Sequence, residues 1–335
     1  MNKKTALFLS LLTTIGIVMI ALWISIVDIA LIRKMVEDMD KGVILAAVFV
    51  YILAYFVRSF RWNLLLKPVI CLGAFRTWVY SVGGNFVNYL IPIRLGEVAK
   101  AWMIKKNHGI SIHKSLPTVF IDKTFDTVSI LILILILPFI SVKLNPAVMI
   151  LMGILMLVFI LSFLLLIGAA LHRESCTKLL SKMLSFLPVR LKIKLENFVH
   201  LFLEGLDIFR HHWSILLWAM LLTIIGILLD GFYFFLMFKA FGYNMAFLTV
   251  FFGYTLINLS YALPQPPAQL GSNEWMMIVI FSLGFGLTAH GASAIMAVAH
   301  VLTALVICVL GFVSFSISGS NMIRKILRGE DLYEQ

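Results

Sequence analysis

Residues 84–97 read Gly84-Asn85-Phe86-Val87-Asn88-Tyr89-Leu90-Ile91-Pro92-Ile93-Arg94-Leu95-Gly96-Glu97. A second stretch runs Gly253-Tyr254-Thr255-Leu256-Ile257-Asn258-Leu259-Ser260-Tyr261-Ala262-Leu263-Pro264, then Gln265-Pro266-Pro267-Ala268, then Gln269-Leu270-Gly271-Ser272-Asn273-Glu274. Both pass through glycine, asparagine, apolar residues, proline, a short loop and Leu-Gly, and end on a glutamate that opens a helix. Proline removes a backbone donor and ends the helix before it. The breaks fall inside apolar stretches, 74–106 and 246–287, whose halves are too short to cross a hydrocarbon core of about 30 Å singly. Free backbone at that depth is tolerated only against protein or a watery cavity. Both stretches are read as re-entrant helical hairpins, the alternative being two short broken spans each.

The surroundings place these hairpins in a bilayer. Of 335 residues, 61% are apolar and 13% charged, and the mean hydropathy is +1.03. Soluble domains carry about 25% charge, and disorder requires the opposite balance, so both are excluded. Apolar runs predict full spans near 5–32, 42–65, 115–140, 145–171, 213–240 and 291–318. The expected fold is an all-α polytopic membrane protein with about six full transmembrane helices plus the two re-entrant hairpins. It forms one integral membrane domain over 1–335. A first repeat at 42–140 carries hairpin 74–106, and a second at 213–318 carries hairpin 246–287. An odd number of reversals separates the hairpins, so the halves are expected to be related by inversion. Paired broken segments in corresponding positions are the sequence pointer to a transporter's binding site.

The N-terminal apolar run from Thr5 to Ile32 is too long for a signal peptide and reads as an uncleaved span. Cys71, Cys176 and Cys308 form no metal-ligand or disulfide pattern and read as small hydrophobes. Neither metal nor cofactor is expected. Net charge is +11, and its placement sets topology. Segments 1–4, 58–123, 172–212 and 319–335 hold 22 of the 27 Lys and Arg residues. By the positive-inside rule those segments, and both termini, are cytoplasmic. Segment 172–212 places leucines and phenylalanines at helical spacing between lysines and arginines, as amphipathic helices on an anionic surface do.

A few charges lie deeper. Glu97 and Glu274 stand in first turns of short helices, where a carboxylate favours the positive end of the dipole and exposed N–H groups favour an anion. Arg94 precedes Glu97 by three residues, and Lys100 follows it on the same face. Arg58 and Arg61 close the second span, either snorkelling to the headgroups or contacting phosphate. Asp122, Lys123 and Asp126 open the third span. The two carboxylates share a face, so they either pair with Arg94 or Lys123 or hold a proton between them. Asp230 lies in the middle of span 213–240, where an ionisable group is functional by default. His300 enters the last span, where a lone histidine usually bonds nearby backbone.

Arg58-Ser-Phe-Arg61-Trp62, Asn88 through Pro92, Arg94-Leu95-Gly96-Glu97 and Asp122-Lys123-Thr-Phe-Asp126 resemble the flippase-like membrane domain of the lysylphosphatidylglycerol synthases. The resemblance covers nearly the whole chain. Pro264 through Leu270-Gly271 and Glu274 resembles that family's second signature, usually Pro-Gly-Gly-x-Gly followed by Glu. Here the loop lacks the glycine pair, and His300 stands where relatives often have Arg. No aminoacyltransferase domain follows residue 335, so lysyl-lipid synthesis is not expected. The resemblance implies translocation of a phospholipid or polyprenyl-phosphate lipid across a prokaryotic plasma membrane, without enzymatic activity.

On that reading, phosphate is held by Arg58, Arg61, Arg94 and Lys100. Asn88 and Asn258 offer hydrogen bonds at the breaks, with Glu97 and Glu274 beside them. Asp122, Lys123, Asp126 and Asp230 form ion pairs or couple a proton. No Walker sequence is present, which argues against direct ATP drive. Two other readings stay open: a partner presenting lipid to a membrane glycosyltransferase or synthase, and a secondary transporter of a small anion. Nucleic acid is not an expected partner.

Overall fold

The computed structural model describes residues 3–91, 95–136, 213–261 and 265–318, with isolated positions at 157, 161, 193, 196 and 197. Every regular element among them is helical, as an apolar solvent that satisfies no backbone group demands. The order is α1 (Lys3–Ile26), α2 (Ile29–Asp38), α3 (Lys41–Leu66), α4 (Ala74–Leu90), α5 (Gly96–His108) and α6 (Ile112–Ile136). After residue 213 come α7 (Trp213–Ala240), α8 (Phe247–Ser260), a 3-10 turn (Pro267–Gln269), α9 (Ser272–Met277) and α10 (Ala289–Ser318). A π-helical segment, Ile278–Gly284, continues α9.

Among the described residues, α3, α7 from Ser214 and α10 are long and apolar enough to cross a bilayer. Helix α6 has the length, 25 residues, but carries three ionisable side chains near its middle. The expected span 145–171 and the amphipathic connection 172–212 lie outside the described residues, apart from the isolated positions.

The first span differs from the sequence expectation. The run 5–32 is not one helix: α1 stops at Ile26, and α2 leaves at 84° to it. Asp28 makes the break by capping α2, its Oδ1 accepting from the amides of Ala30 and Leu31. Its own N–H donates to His290 Nδ1 at 3.3 Å. Helix α2 buries Ile32 and leaves the Arg33–Glu37 pair exposed, the face pattern of a helix lying along an interface.

The helices on either side of each apolar break pack on one another, α4 on α5 and α8 on α9 with its π-helical continuation. In the first, α4 and α5 touch at their glycines. A Cβ on Gly96 would run into the carbonyl oxygen of Gly84, and a Cβ on Gly84 would lie 2.7 Å from the carbonyl oxygen of Gly96. Main chain cannot give way as a flexible side chain can. Gly96→Ala is therefore expected to destabilise the protein by about 3 kcal/mol, the upper part of the usual overpacking range. Thermal unfolding in detergent reads that loss directly.

In the second hairpin, Gly253 of α8 lies against the ring of Phe281. Helix α1 crosses its loop: Gly16 faces Pro266, Gly271 with φ +79° faces Met19, and Trp275 Nε1 donates to the Met19 carbonyl at 2.9 Å. Helix α10 touches both hairpins, through Ser314 Oγ donating to the Val79 carbonyl at 2.6 Å and through contacts with α9. Helices α3 and α7 lie side by side against α6, which collects the deep charges of three helices in one place.

Candidate functional site

Arg61 sits at the centre of that collection, with a side chain only 1% exposed. Its Nε donates to Asp122 Oδ1 at 2.7 Å, and one terminal nitrogen donates to Asp126 Oδ1 at 2.7 Å and to Thr223 Oγ1 at 3.0 Å. The other terminal nitrogen donates to the Asp122 carbonyl at 3.2 Å. The guanidinium fork is satisfied inside the protein and does not snorkel outward. One cation between two carboxylates offsets the repulsion that the pair would otherwise suffer in low dielectric. Asp122 and Asp126 share a face, as their spacing predicts, but their principal partner is Arg61.

One turn earlier on α3, Arg58 forms a bidentate pair with Asp230 of α7. The Arg58 side chain is 30% exposed, whereas that of Asp230 is 3% exposed. The mid-span carboxylate expected to be functional therefore faces a guanidinium. Arg58, Asp126, Asp230, Tyr254, Thr255 and Asn258, with the apolar Ile130, Leu133 and Ile227, line a cavity of about 30 Å³. That is room for roughly one or two water molecules. Its walls come from α3, α6, α7 and α8.

The first hairpin joins this network. Asn88 at the end of α4 accepts from the Gly96 amide at 2.6 Å and donates to Glu97 Oε1 at 3.1 Å, so one side chain bridges the break and orients the glutamate. Lys123 reaches Glu97 Oε1 and Asp126 Oδ2, each at 3.8 Å. Lys100 is buried, with its ammonium 5.2 Å from the centre of the Trp62 ring. Among the described residues it has no carboxylate within ion-pair distance. Arg94 lies outside the described residues, as do Pro92 and Pro264.

Glu274 occupies the first turn of α9, as Glu97 does that of α5. Each glutamate has one oxygen engaged and the other, Oε2, buried without a hydrogen-bond partner among the described residues. Asn258 differs from Asn88: its amide only donates to the Tyr254 carbonyl one turn back, at 3.1 Å. In the second hairpin the cross-break bonds come from Tyr261 donating to Asn273 and from Asn273 donating to Gln269.

The lysylphosphatidylglycerol synthase TM region family matches residues 7–311, which spans every element of this site. The chain belongs to that family. It is 27% identical over 245 residues to a UPF0104 membrane protein of Methanocaldococcus jannaschii, covering 72% of this chain and 97% of the relative. It is 22% identical over 331 residues to a UPF0104 membrane protein of Methanothermobacter thermautotrophicus, covering 95% and 98%. No solved structure matches it.

In this member of the lysylphosphatidylglycerol synthase TM region family, one site residue escapes sequence reasoning. His300 Nδ1 lies 2.6 Å from Glu274 Oε1, and its Nε2 lies 2.8 Å from the Ala268 carbonyl. The histidine does bond backbone, as a lone membrane histidine is expected to, but it also holds the second hairpin's glutamate. Nothing in the local sequence around His300 reports a partner 26 residues away. The sole hint is that the family resemblance implies a cationic residue at its position.

Proposed function

We propose that this multi-pass membrane protein is a lipid translocase that passes the phosphate headgroup of a phospholipid or polyprenyl-phosphate lipid between its two halves. The observation carrying this reading is the cavity that receives Arg58, Asp126 and Asp230 and is walled jointly by α3 and α6 of the first half and α7 and α8 of the second. Ionisable groups in a membrane interior are costly, and they are retained where ions or polar groups travel. Here they form a continuous chain from Glu97 through Lys123, Asp126 and Arg61, with the Arg58–Asp230 pair beside it.

The cavity, about 30 Å³, is too small for a headgroup. Binding pockets for small molecules measure about 300–1,000 Å³, so a headgroup enters only when α6 or α8 moves away from α3 and α7. Arg58, partly exposed beside the cavity, is the cation best placed to exchange Asp230 for a phosphate. Lys100 supplies a second cation unpaired with any described carboxylate.

On this reading the hairpins are re-entrant and belong to inverted repeats, six spans complete the domain, and both termini face the cytoplasm of a prokaryote. Support comes from the charge asymmetry of the segments and from the matched glutamates Glu97 and Glu274. Reconstitution into liposomes with labelled phospholipids and polyprenyl phosphates tests the function. At least one lipid is expected to equilibrate between leaflets faster than in protein-free vesicles. Equal rates for every lipid would sink the translocase reading and leave the lipid-presenting role, measured by lipid copurification.

A further inference from the structure

Three elements meet at His300. It lies on α10, facing the loop of the second hairpin and the first turn of α9, while the Tyr89 hydroxyl at the end of α4 lies 3.4 Å from its Nε2. A carbonyl oxygen only accepts, so the bond to Ala268 fixes the hydrogen on Nε2. Nδ1 then faces Glu274 Oε1 at 2.6 Å, and that contact holds together only if a proton lies between the two atoms. The proton makes either an imidazolium–carboxylate pair or a neutral imidazole with a carboxylic acid. Without it, two lone pairs confront one another and a buried carboxylate has no donor.

The remaining titratable neighbours cannot substitute. Beside the pair are Tyr89 of α4 and Tyr261 of α8, with Tyr55 of α3 and Cys308 of α10 next to Tyr89; none of them is a cation.

The loop that this histidine holds is under backbone strain. Ala268 and Gln269 take φ of 53° and 59°, a region that non-glycine residues adopt at a cost and keep only where surroundings enforce it. Here His300 bonds the Ala268 carbonyl, Ser272 Oγ donates to the Gln269 carbonyl, and Asn273 donates to Gln269 Oε1. All three hold a conformation that the chain does not favour.

We infer that Glu274 and His300 form a binding site for a single proton, and that the bound proton latches the second hairpin's loop to α10. Loss of the proton leaves a neutral imidazole with one N–H between two acceptors, so either the Glu274 contact or the Ala268 bond is given up, and the strained loop relaxes away from α10 and Tyr89. The sign is fixed: the latch is closed at low pH and opens as pH rises. This goes beyond lipid movement, since it concerns what holds the hairpin closed, whatever the cargo.

Hydrogen exchange of the full chain in lipid nanodiscs between about pH 5 and about pH 10 tests it. The readout is protection of the amides of Gln269 and Leu270, which donate to the carbonyls of Pro266 and Pro267, after correction for intrinsic exchange. Wild-type protection is expected to fall about tenfold or more as pH rises, the worth of one lost charge-assisted bond. Glu274→Gln keeps a donor toward Nδ1 and has no proton to release, so its loop should stay protected throughout, with exchange of α3 reporting that the variant is folded. A wild-type loop whose corrected protection is flat with pH overturns the latch, as does a folded Glu274→Gln variant that follows the wild-type profile.

Discussion

Arg61→Ala is expected to lose about 3–5 kcal/mol of stability, the usual cost of stripping one partner from a buried ion pair. The whole fork is engaged: Asp122 by side chain and carbonyl, Asp126 by side chain, and Thr223 by its hydroxyl. Removing it leaves two carboxylates on one face of α6, both short of a cation except for Lys123 at 3.8 Å from Asp126. Most small domains have only about 5–15 kcal/mol in total, so the variant should accumulate poorly and unfold at much lower temperature in detergent. Arg61→Lys should recover little, because an ammonium cannot span two carboxylates and a hydroxyl in one plane. An Arg61→Ala protein with an unchanged melting temperature would show that the site is not the structural centre argued above.

The second large effect separates structure from function at Arg58 and Asp230. Either Arg58→Met or Asp230→Met alone strands one buried or half-buried charge and should cost about 3–5 kcal/mol. The double variant Arg58→Met/Asp230→Met removes both charges and fills similar volume, so its stability should return to within about 1 kcal/mol of wild type. A double-mutant cycle on thermal unfolding measures this coupling. If the two single costs simply add, the pair contributes no coupling and the geometry has been misjudged.

Much of the architecture is legible in the sequence because the signals are local. Pro92 and Pro264 interrupt apolar runs, and a break needs no distant partner to be read. Glu97 and Glu274 fall in first turns because helix starts favour carboxylates. Asp230 stands out since nothing apolar explains it. The failures share one cause: the deciding partner is far away in the chain. Asp28 resembles the polar end of a span, and its backbone N–H at the turn is held by His290, 262 residues downstream. Arg61 sits where a snorkelling arginine would, yet its partners are 61 and 65 residues downstream. His300 is one more case, bonding a glutamate from another element. The loop at 267–269 adds a different lesson. Without the family's usual glycines, alanine and glutamine occupy positive φ, so the sequence departure appears in the fold as strain.

The most direct measurement compares lipid scrambling by wild-type protein and by Arg58→Met/Asp230→Met in the same liposomes. The cavity between the halves is held to be the headgroup path, and its exchangeable cation is Arg58. With thermal unfolding showing the double variant to be folded, its scrambling should fall to the rate of protein-free vesicles while wild type remains fast. Equal scrambling by the two proteins would place the path elsewhere and contradict the account.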